Sequence, residues 1–66
     1  MKALAWTGGP SEWYGKRGNR IIAMIVLSQD GYGLYDQRDA ENASVPDKLA
    51  GLVDSLEEAK SRAVGW

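Results

Sequence analysis

The sequence predicts an α+β domain: a three- to four-stranded antiparallel sheet, a meander, with one C-terminal helix packed on one face. Three observations predict it. A continuous apolar run, Ile21 to Leu27, is bounded by turn residues on both sides. Asp30-Gly31 follows it as a hairpin signal. Ser55-Leu56-Glu57-Glu58 then has the form of a helix capping box.

In chain order, Ala3 to Trp6 is a short apolar stretch stopped by Thr7-Gly8-Gly9-Pro10. Glu12 to Lys16 reads as a strand, since aromatic residues suit a pleated surface, and Arg17-Gly18-Asn19 reads as a turn. Arg20 to Ser28 is the clearest element, with strand length and β-branched content. Gly31 to Asp36 is the returning strand, and Gln37 to Pro46 a polar loop. Lys48 to Val53 reads as a fourth strand or a short helical turn, with Gly51 favouring the strand. In the helix, Leu56, Ala59 and Ala63 share one face with Val64 beside them, while Glu57, Glu58, Lys60, Ser61 and Arg62 take the polar side. The acidic pair lies at the positive end of the helix dipole, the basic pair towards the negative end, and Gly65 suits a stop.

Sixty-six residues make a single domain, 1–66. A chain of this size buries only roughly 60% of the surface it exposes unfolded, so self-association is one of the few supports open to it. There is no Cys and no His. Disulfides and the usual zinc, haem and iron–sulfur ligand sets are thereby excluded, and no cofactor is expected. The usual nucleophile–base pairs cannot be built either, and the chain reads as no enzyme. Asp36, Asp39 and Glu41 sit in a solvated loop without the spacing of a calcium site. The longest apolar run is far short of the roughly 20 residues a membrane-spanning helix needs. The start of the chain lacks the pattern of a secretory signal, so the expected address is cytoplasmic. Residues 1–29 carry four cations against Glu12, whereas residues 30–66 carry eight carboxylates against four cations.

The central strand is apolar on both sides: Ile21, Ala23, Ile25 and Leu27 alternate with Ile22, Met24 and Val26. With a two-residue Asp30-Gly31 turn, Leu27 faces Leu34 and Val26 faces Tyr35. A type I turn with a bulge would slip the register by one. One helix covers one face, so the other, with Ile22, Met24, Val26 and Tyr35, needs a second cover. Two covers are open: Trp6, Trp13 or Trp66 folding back, or a homodimer or small protein partner docking there. A second candidate surface is Trp13, Tyr14, Lys16, Arg17 and Arg20, where aromatics interleaved with cations could stack bases and hold phosphates of nucleic acid.

Trp6, Trp13, Gly31-Tyr32 and Asp54-Ser55-Leu56-Glu57-Glu58-Ala59-Lys60 resemble a type of small uncharacterised protein of bacterial and prophage genomes, built as a β-meander plus helix. Asp30-Gly31-Tyr32, Pro46, Gly51 and Ser55 to Ala59 resemble, in order, the pattern of HicB-type antitoxins. The chain departs from that pattern in the segment before the central strand, in the loop around Pro46 and in having no DNA-binding extension after the helix. These resemblances imply a phage-derived, non-enzymatic protein-interaction module, with a nucleic-acid-binding accessory protein or an antitoxin as the alternatives.

Overall fold

The computed structural model describes residues 4–66; Met1–Ala3, which include Lys2 and the first residue of the N-terminal apolar stretch, lie outside the described residues. The elements are β1 (Ala5–Gly8), β2 (Glu12–Arg17), β3 (Arg20–Ser28), β4 (Gly31–Asp36), β5 (Lys48–Val53) and α1 (Leu56–Arg62). The strands pair antiparallel in chain order, β1-β2-β3-β4-β5. The architecture is an α+β meander with one short helix, but with five strands rather than three to four.

The additional strand is β1. Its four residues carry too little pattern to be read as a strand, and they fold back through Gly8 and Gly9, both at positive φ. The Gly9 N–H donates to the Glu12 carbonyl at 2.6 Å. Trp6 then lies across Gly15, where a Cβ would approach the indole ring to 2.8 Å. β1 is held by what β2 offers it, a property of the pair rather than of its own residues. The segment 48–53, open between strand and helical turn, is a strand.

The β3–β4 hairpin closes at Gln29-Asp30, with Ser28 paired to Gly31. Asp30 has no positive φ, so the mirror-image turn expected at Asp30-Gly31 does not form, and positive φ falls on Gly31. The Ser28 hydroxyl accepts from the Asp30 N–H (3.3 Å) and donates to the Gly31 carbonyl (3.2 Å). Leu27 therefore faces Tyr32 and Ile25 faces Leu34, two residues from the expected register. A shift of two leaves every side chain on its expected face, because the pleat repeats every two residues.

Ile21 and Ile22 are the exceptions. A bulge opposite the Gly15/Lys16 step leaves Ile21, expected on the helix side, opposite Lys16 on the other face, and turns Ile22 towards the helix. There it joins Leu4, Ala23, Ile25, Leu34, Val53, Ala59 and Ala63 in the core. The expectation that Ile22 lies on the second face is corrected: strict alternation fails where two β3 residues oppose one on β2.

α1 packs over β4 and β5 through Ala59 and Ala63, both with no exposed surface. The Ser55 hydroxyl accepts from the Glu58 N–H at 3.1 Å. The other half of the expected capping box is replaced by an ion pair from Glu58 to Arg62 at 3.1 Å. Val64, expected beside the buried stripe, is 65% exposed because the helix ends at Arg62.

The polar loop 37–47 is anchored by one residue. Gln37 is 1% exposed. Its amide nitrogen donates to the carbonyls of Ala43 (3.0 Å) and Val45 (2.7 Å), and its amide oxygen accepts from the Asp47 N–H (2.9 Å). Its own backbone N–H donates to the Ile22 carbonyl at the bulge (3.0 Å). A buried amide without partners would cost about 1–3 kcal/mol; this one has three.

Candidate functional site

Residues opposite each other across an antiparallel pair share a face, so the register sorts the sheet into two sides. The helix side carries Trp6, Trp13, Ala23, Ile25, Tyr32, Leu34 and Val53. Trp6, Trp13 and Trp66 all pack against this core, and Trp13 lies 5.8 Å from Tyr32, ring centre to ring centre. None of the three tryptophans serves as the cover considered for the second face.

The second side, the open face, is built of rows that cross the sheet. One row runs Thr7, Tyr14, Met24, Tyr35, Leu49 through all five strands. On one side of it lies Glu12, Val26, Gly33, Leu52, and on the other Ala5, Lys16, Ile21. Met24 is fully buried without a helix above it, because Tyr14 and Tyr35 flank it as direct cross-strand partners. Tyr35 leans over Gly33, where a Cβ would meet its ring at 3.3 Å.

Of the four residues expected to form this face, Met24, Val26 and Tyr35 lie on it and Ile22 does not. Met24 is already covered by the chain itself, Val26 and Tyr35 are half-buried, and the exposed apolar surface lies elsewhere: Leu49 is 59% and Leu52 53% exposed. Leu49 and Leu52 are an odd number of residues apart and would point to opposite sides of a regular strand. The irregularity between Leu34 and Tyr35 pairs them with Tyr35 and Gly33, and so puts both on the open face. That irregularity is invisible in the sequence, which is why the two leucines were missed.

The residues considered for nucleic acid are separated. Trp13 is on the helix side, Tyr14 and Lys16 are on the open face, and Arg17 pairs with Arg20 at the hairpin end. The Arg20 guanidinium donates to the Arg38 carbonyl at 2.8 Å. Aromatic rings and cations therefore do not form one platform.

At the same end, Arg38 grips Asp36 in a two-pronged pair at 2.9 and 2.7 Å and also donates its backbone N–H to the same carboxylate at 3.0 Å. Its guanidinium lies 5.0 Å from the centre of the Trp66 ring. The Arg38 hydrogen bonds hold the Asp36 carboxyl below its ordinary value of 3.8. This cluster ties the loop and the C-terminal residue to β4, a structural assignment.

Among the described residues no group of His, Cys, Asp and Glu side chains is placed to hold a metal ion, and no helix is long and apolar enough to cross a membrane. A hollow of about 330 Å3 lies between β1 and α1, lined by Leu4, Trp6 and residues of the helix, Glu57 and Lys60 among them. No family model matches the chain, and no curated protein or solved structure matches it either.

Proposed function

We propose that the chain is a non-enzymatic protein-interaction module that docks protein on the open face of its sheet, through Tyr14, Val26, Tyr35, Leu49 and Leu52. In the setting its resemblances imply, it is a small bacterial protein of phage origin acting in the cytoplasm. One observation carries the reading. The helix and all three tryptophans lie on one side of the sheet, while two leucines more than half exposed lie on the other. Fully burying a leucine is worth about 1.5–3 kcal/mol, a large fraction of the stability of so small a domain. An uncovered apolar and aromatic patch with few charges has the composition of an interface centre.

A photo-crosslinking amino acid at Tyr35 or Leu49, compared with one at Val64 on the far side, tests the reading in cells. Adducts are expected from the first two positions and not from Val64. Their absence, or equal labelling from all three, would overturn it.

A further inference from the structure

The geometry points to a second copy of this chain as the occupant of the open face, packed sheet on sheet with each strand crossing its own counterpart in the opposite direction. This rests on the open face being the docking surface and adds the partner and its orientation.

The argument is one of self-complementarity. On the strands of the open face the charged residues are Glu12 and Lys16, at opposite ends of β2 with Tyr14 midway between them. Four residues of extended strand separate them by about 13 Å. A homodimer interface with two-fold symmetry brings the same patch against itself. An axis lying along the row Thr7, Tyr14, Met24, Tyr35, Leu49 exchanges the rows on either side of it. Glu12 of one copy then meets Lys16 of the other, twice over by symmetry.

The apolar residues of the central strand follow the same operation. On β3 the exchanged residues are Val26 and Ile21, both half-buried and both apolar. Tyr14 and Tyr35 lie on the axis on either side of the buried Met24 and meet their own copies, aromatic against aromatic at the centre. An axis parallel to the strands would instead leave Glu12 level with Glu12 and Lys16 level with Lys16. Stacked sheets sit about 10 Å apart with their strands about 30° from alignment. At that spacing these side chains interdigitate.

Sedimentation equilibrium of the full chain, across micromolar to millimolar concentration at low salt, tests this with three variants: Glu12→Lys, Lys16→Glu, and the double exchange. Circular dichroism checks that each is folded. The wild type is expected at twice the monomer mass. Each single reversal sets like charges together at two places and is expected to raise the dissociation constant at least tenfold. The double exchange restores the pairing and is expected to restore the dimer. If one single variant does not fold, the other reads the same contact. A dimer indifferent to all three variants but dissociated by Tyr35→Arg would overturn this orientation while leaving the open face as the interface. A monomer throughout would overturn the second copy as occupant, and crosslinks from Tyr35 to a different protein would then still support the docking surface.

Discussion

The two faces of β3 are buried by different means. On the helix side, Ala23, Ile25 and Leu34 share one core with Ala59 and Ala63, whose small side chains let the helix backbone come close to β4 and β5. On the open side, Met24 reaches the same complete burial between its cross-strand neighbours Tyr14 and Tyr35, with no helix over it. One side is covered by another layer and the other by its own long side chains. A sheet can thus hide its central strand without a second layer, but only its central strand: the cover thins towards β5, where Leu49 and Leu52 are exposed.

Truncating each face is the largest test of this contrast. Ile25→Ala is expected to cost about 2–5 kcal/mol, since a cavity remains in the core of the helix side. If the tyrosines pack as closely as the helix does, Met24→Ala costs a similar amount. Urea unfolding at a fixed chain concentration measures both. A near-neutral Met24→Ala would mean that the tyrosines collapse into the gap, and that the open side is covered loosely.

Gln37→Ala has a smaller effect in a different place. It removes three hydrogen bonds and strands the Asp47 N–H, for about 1–3 kcal/mol. Hydrogen exchange is expected to speed up in residues 38–47 while the amides of β3 keep their protection. Equal loss in both would place the loop inside the cooperative core of the helix side.

The smallest effect is on the acid limb of stability. Asp36 is held below its ordinary value by the Arg38 hydrogen bonds. Unfolding therefore lets it take up a proton more readily. The stabilisation is present above the ordinary value of 3.8 and fades as pH falls through the lower folded one. Asp36→Asn is expected to flatten the loss of thermal stability below about pH 4; an unchanged acid limb would show that the Arg38 pair adds nothing to the fold.

Much of the fold was legible because its signals are local. β3 announces itself by length and β-branched content, and α1 by Ser55 and its periodicity. The faces of Met24, Val26, Ile25 and Leu34 were also legible, since they depend on alternation and survive a register shift of two. β1 was not, because four residues ending in Gly8 have no pattern of their own and take their conformation from β2. Gln37 gave no sign of its role either: a glutamine at the end of a strand is as ordinary as one in solvent until the loop closes around it.

The sequence by itself determined that the chain carries no cysteine or histidine, that its central strand is apolar on both sides, and that a helix able to cover one of them follows. These follow from composition and from periods of two and 3.6 residues, which any local conformation must respect. Only the tertiary structure decided that Ile22 turns inward, that all three tryptophans crowd the helix side, and that Leu49 and Leu52 share the open face with Tyr35. Each depends on a bulge between neighbouring strands or on a packing contact across the core. A single irregular pairing reverses the sense of every side chain beyond it, and no local pattern records where that occurs.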